Sequence, residues 1–123
     1  MIDPSLLNRL QKTRGFLGPH ADLLMAEMLK AADAKMHASV IILSAAIMDV
    51  ILREPSGRPH HADGIDIAAA RDSMDAYWLR ERRNGIVHYE GGKGGLMGDD
   101  DMVLAKDAGR AVATLTDALD LLT

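Results

Sequence analysis

Residues Ala38–Leu52 read ASVIILSAAIMDVIL, and the fold turns on how that run is read. The β-branched triplet Val40-Ile41-Ile42 alone suits a strand. The run is too long for a typical strand, however, and the alanines and methionine that follow favour helix. Apolar residues surround almost the whole circumference (Val40, Ile41, Ile42, Leu43, Ala45, Ala46, Ile47, Met48, Val50, Ile51), so this helix is expected to be central. Its one carboxylate, Asp49, must find a cation or sit at the helix edge, because an unpaired buried charge is costly.

Working outward, both flanks also read as helix. Asp3-Pro4-Ser5 is a helix start, with Asp3 as cap and Pro4 in the first turn. Leu6, Leu7, Leu10 and Leu17 form one apolar side, and Gly15 and Gly18-Pro19 end or bend the segment. A second helix is expected from about His20 to Met36, with Leu24, Met28, Ala32 and Met36 as its inner stripe. Arg53 to Gly64 carries two prolines and two glycines and reads as a loop. From about Asp66 one helix is expected to run into an arginine-rich end, with Ile67, Ala70, Met74, Tyr77 and Trp78 stepping by three and four. Glu90 to Gly98 holds five glycines and reads as a loop. The last helix is expected to be capped by Asp99-Asp100-Asp101, with Leu104, Ala108, Ala111, Leu115, Leu119 and Leu122 as its stripe. The expected fold is all-α: a single domain over residues 1–123, four to five helices in an up-and-down bundle.

Composition narrows the possibilities. Aromatic residues are only 3% against 48% hydrophobic. The core is therefore aliphatic and methionine-filled. With no cysteine, disulfides and thiolate metal sites are excluded. No apolar run is long enough to span a membrane, and no basic, cleavable leader opens the chain, so a cytoplasmic location is expected. A net charge of −4 means that contact with nucleic acid would be local.

The local charge is found in Arg80-Glu81-Arg82-Arg83-Asn84-Gly85-Ile86-Val87-His88-Tyr89. Continued at about 100° per residue, the stripe from Met74 and Trp78 passes through Glu81, Gly85 and His88, turning polar where the arginines begin. Such an end either frays into solvent, where Arg and His suit the helix dipole, or lines a pocket. In a pocket, histidine serves as acid or base and arginine as phosphate clamp. Arg83 and His88 are five positions apart and point about 140° from each other on a straight helix. A shared site therefore needs a bend at Gly85 or a second subunit.

The segment Arg83-Asn84-Gly85-Ile86-Val87-His88, ending the penultimate long helix of a bundle, resembles the hallmark R-x(4–6)-H of the HEPN superfamily, where Asn often follows the Arg. The resemblance implies a dimeric, metal-independent endoribonuclease, including the HepT-like toxins paired with nucleotidyltransferase antitoxins. Under it Arg83 and His88 are the catalytic pair, and Asn84 supports them. The reaction is attack of a 2′-hydroxyl on the adjacent phosphate, leaving a cyclic phosphate. The HepT-like group carries H-x-Y, whereas here Tyr89 follows His88 directly, one position early. Other members of the superfamily are non-catalytic dimers that bind nucleotide, RNA or a partner protein, and this is the alternative expectation.

Around this pair, Asp49 is expected to orient Arg83 or His88, with Ser44 as a lesser candidate; Arg80, Arg82 and Lys93 add positive charge for RNA. Gly91-Gly92-Lys93-Gly94-Gly95 lacks the phosphate-loop pattern and reads as a flap that carries Lys93. His60-His61 with Asp63 reads as a solvated loop rather than a metal site, and no cofactor is expected.

Overall fold

A computed structural model describes residues 2–53, 64–88 and 101–122. Among these residues there are six α-helices and no strand: α1 (Pro4–Thr13), α2 (Pro19–Asp33), α3 (His37–Ile51), α4 (Gly64–Asp72), α5 (Met74–Val87) and α6 (Asp101–Leu122). The all-α expectation holds; the helix number is higher than the four or five expected. No described helix is long and apolar enough to cross a membrane.

The extra helix comes from Ser73. Its backbone is extended (ψ 154°) and its hydroxyl accepts the Ala76 amide at 3.0 Å, which caps α5 and ends α4. The three-and-four spacing from Ile67 to Trp78 therefore crosses a helix break. Serine offers the backbone a local hydrogen bond that competes with helix continuation, and here that competition wins.

As its sequence requires, α3 lies at the centre. Val40, Ile41, Ala45, Ile47 and Ile51 are all at or below 1% exposure, and α3 packs against α2, α6 and α5. The α6 stripe is as read, with Ala108, Ala111, Leu115, Leu119 and Leu122 buried and Leu104 half-buried. At the other terminus Asp3 caps α1 by accepting the Ser5 amide at 2.9 Å, and Leu10 is buried.

Two stripes differ from expectation. In α2 the buried residues are Ala21, Met25, Met28 and Ala31: Met28 is buried as expected, while Met25 and Ala31 are buried in place of the adjacent Leu24 and Ala32. Met36 is 53% exposed. In α5 the buried line is Ala76, Leu79, Arg82 and Gly85, while Met74 (88%) and Tyr77 (62%) face outward. Arg82 thus occupies a core position on α5, and Glu81 is exposed.

A tight hairpin joins α2 to α3. The Met36 amide bonds the Ala31 carbonyl at 2.9 Å and the Lys35 amide bonds that of Ala32 at 3.1 Å, with Lys35 in the left-handed region (φ 59°). This is a Schellman ending with lysine where glycine is usual. Relieving that conformation by Lys35→Gly is expected to stabilise the protein by about 1 kcal/mol, read as a higher urea midpoint. The hairpin makes α2 and α3 antiparallel neighbours, so the start of α2 meets the end of α3.

Candidate active site

At that end of the bundle Asp49 leaves the apolar surface of α3 and meets Arg83 of α5. Arg83 Nη1 donates to Asp49 Oδ2 at 2.8 Å, and Arg83 Nε donates to Asn84 Oδ1 at 3.2 Å. The Arg83 and Asp49 side chains are 23% and 35% exposed, so the pair sits at the surface of the core and is open to a ligand. Two of the five guanidinium N–H groups are engaged by these bonds, and they fix the plane of the fork. The sequence reading of Asp49 as the partner that orients Arg83 matches this geometry. Ser44 does not join it: the residue is fully buried, and its hydroxyl has no hydrogen-bond partner among the described residues.

Two clefts open beside Asp49 and share it, together with Arg53, as a common wall. The smaller, about 280 Å³, is also lined by His20 and Val50. The larger, about 450 Å³, is lined on its far side by Ile67, Arg71, Asp72 and Arg80. Arg71 grips Asp72 with two parallel bonds of 3.0 Å each, and these hold the Asp72 carboxyl below its ordinary range, so it stays ionised. Arg80 Nη1 donates to the Arg71 carbonyl at 2.9 Å, which sets its guanidinium at the rim. The larger cleft therefore presents three arginines against two carboxylates, an electrostatic bias toward anions.

Arg82 does not contribute to that surface. It is 8% exposed, and its Nε donates to Asp107 Oδ2 on α6 at 3.0 Å. Expected as an RNA contact, it is instead a strut between α5 and α6.

His88 terminates α5. Its amide bonds the Asn84 carbonyl at 2.9 Å, so helical bonding continues unbroken past Gly85. On a regular helix of this continuity the Arg83 and His88 side chains leave about 140° apart. Within one chain the structure assembles Arg83, Asn84 and Asp49, and leaves His88 exposed on another face. That face continues through Met74, Tyr77 and Glu81, which with His88 fall within an arc of roughly 60° on a regular helix. Tyr89, Lys93 and the glycine loop 91–95 lie outside the described residues, as do His60, His61 and Asp63.

His20, Arg53 and Arg71 were not singled out by sequence reasoning. One signal was present for His20. It precedes Lys35 by nearly the same stretch of chain as that by which Asp49 follows it, so an antiparallel hairpin centred there places the two side by side. Comparison with family models, curated proteins and solved structures returned no match to this chain.

Proposed function

We propose that this protein is a metal-independent endoribonuclease of HEPN type, acting as a homodimer whose sites combine Arg83 of one protomer with His88 of the other. The observation that carries the reading is the Arg83 geometry. Its guanidinium is oriented by Asp49 (2.8 Å) and Asn84 (3.2 Å), and Asp49 also walls a cleft lined by Arg53, Arg71 and Arg80. That is the arrangement needed to clamp a phosphodiester, with Arg53 and Arg80 meeting neighbouring phosphates.

Two features of α5 support dimerisation. On a regular helix Arg83 and His88 point apart within a chain, which favours completing the site with a second copy. His88 also shares its face with Met74 and Tyr77, which are 88% and 62% exposed. Apolar side chains of that size in water favour contact with another surface. As the toxin of a toxin–antitoxin pair, the protein would be neutralised by a nucleotidyltransferase antitoxin.

In the reaction Arg83 neutralises the phosphate and His88 takes the proton of the attacking 2′-hydroxyl, giving a 2′,3′-cyclic phosphate. Purified protein is expected to cut single-stranded RNA in EDTA and to leave cyclic-phosphate ends detectable by mass spectrometry. Intact RNA after prolonged incubation would refute the enzymatic reading.

One observation favours the non-catalytic alternative, a dimer that binds nucleotide or RNA: the Arg83 charge is already met by Asp49 within the chain. Saturable RNA binding without turnover, weakened in Arg83→Ala, would select it.

A further inference from the structure

At the opposite end of α3 from Asp49 the helices leave a cavity of about 420 Å³, within the roughly 300–1,000 Å³ of sites that take small molecules. His37, the first residue of α3, stands in its wall, about 18 Å along the helix axis from Asp49 at 1.5 Å per residue. The cavity is therefore separate from the clefts that Asp49 walls. Its apolar lining is Ile2, Pro4 and Leu7 at the start of α1, Ala32 near the end of α2 and Ala105 near the start of α6. Ile2 is buried, and Leu7, Ala32 and Ala105 are half-buried, so these walls suit an aliphatic group.

The rest of the lining is polar. Asp33 ends α2 and Lys35 follows it in the hairpin, and both are exposed. Among the described residues neither is held in an ion pair, with the other or with any third residue. The His37 side chain is only 13% exposed, and its Nε2 lies 4.0 Å from Asp101 Oδ1, beyond hydrogen-bond reach. Its Nδ1 is enclosed and has no hydrogen-bond partner among the described residues. A largely buried imidazole with neither nitrogen hydrogen-bonded is costly, and a ligand acceptor at Nε2 offsets that cost. Lys35 adds an independent sign. It is held in the left-handed region (φ 59°), where glycine is usual, and such outliers gather where a side chain has a task.

We propose that this cavity binds an aliphatic amino acid. Its side chain lies among Ile2, Leu7 and Ala105, its carboxylate meets Lys35 and His37 Nε2–H, and its ammonium meets Asp33. A head group carrying both charges thus engages a cation and an anion that do not engage each other. The proposal is independent of the ribonuclease reading.

The test is isothermal titration calorimetry of the full chain with L-leucine, which is expected to show saturable binding of one molecule per chain. Isocaproate, which lacks the ammonium, and isoamylamine, which lacks the carboxylate, are each expected to bind about tenfold more weakly or worse. Lys35→Gly is expected to weaken leucine binding by about tenfold or more while its urea midpoint rises, so the loss is not one of folding. Asp33→Asn, at an exposed position, is expected to weaken leucine but not isocaproate. Absence of saturable leucine binding, isocaproate binding as tightly as leucine, or a Lys35→Gly variant that binds like wild type would each overturn the proposal.

Discussion

Arg83→Ala and His88→Ala are each expected to slow RNA cleavage by about 10²–10⁴-fold, the range for losing a positioned acid–base group or a charge that stabilises the transition state. The two losses have different causes. In the proposed reaction, His88→Ala removes the group that accepts the 2′-hydroxyl proton. Arg83→Ala removes the proposed phosphate clamp and takes from Asp49 the guanidinium it is bonded to. Stability is expected to change little in either variant. His88 is exposed, and the Arg83 and Asp49 side chains are 23% and 35% exposed. A pair that open to water contributes no more than about 1 kcal/mol. Arg83→Lys separates charge from geometry. Lysine keeps the positive charge but cannot hold the Asp49 and Asn84 oxygens in one plane, so most of the loss is expected to remain. Initial rates on single-stranded RNA in EDTA, with thermal melts as a folding control, check all three variants. A Lys variant as active as wild type would show that a point charge suffices and that the Asp49 contact has no catalytic consequence.

Asp107→Ala is expected to destabilise the protein by about 3 kcal/mol, a large share of the roughly 5–15 kcal/mol that holds a domain together. Arg82 is 8% exposed and lies in line with Ala76, Leu79 and Gly85 on the inner face of α5. Its bond to Asp107, itself 23% exposed, ties α5 to α6 at 3.0 Å. Removing only the carboxylate leaves a desolvated guanidinium without its α6 counter-charge, which costs more than the pair contributes when intact. The double variant Arg82→Leu/Asp107→Leu, which removes both charges, is expected to recover much of the loss. Urea titration reads both, the midpoint falling with little change in slope. An unshifted midpoint for Asp107→Ala would mean that the Asp107 contact does not hold α5 to α6.

Helix α3 was legible in the sequence because it lacks a polar face, and only a central position suits such a helix. Asp49 was legible for the same reason: a lone carboxylate in an apolar run has to find a cation, and it finds Arg83. The phase of α5 was not legible. Its buried line runs Ala76, Leu79, Arg82, Gly85, and hydropathy cannot distinguish two small residues and an arginine from a surface. The more apolar Met74 and Tyr77 face outward. In α2, Leu24 and Met25 are adjacent and similarly hydrophobic, so the choice between them is made by the helices packed against it. The break at Ser73 was hidden because the spacing of the apolar residues passes smoothly over it. Motif reading found the arginine-histidine pair but not the cleft, since His20, Arg53, Arg71 and Arg80 come from four separate parts of the chain.

The central claim, a site shared between two protomers, is tested most directly by mixing Arg83→Ala with His88→Ala, each inactive alone. Subunit exchange gives heterodimers in which one of the two sites pairs an intact Arg83 with an intact His88, and the other pairs the two alanines. Activity is expected to return to about a quarter of wild type per chain, since half the dimers are mixed and each holds one working site. If confirmed heterodimers recover no activity, Arg83 and His88 do not meet across the interface and the composite site is wrong.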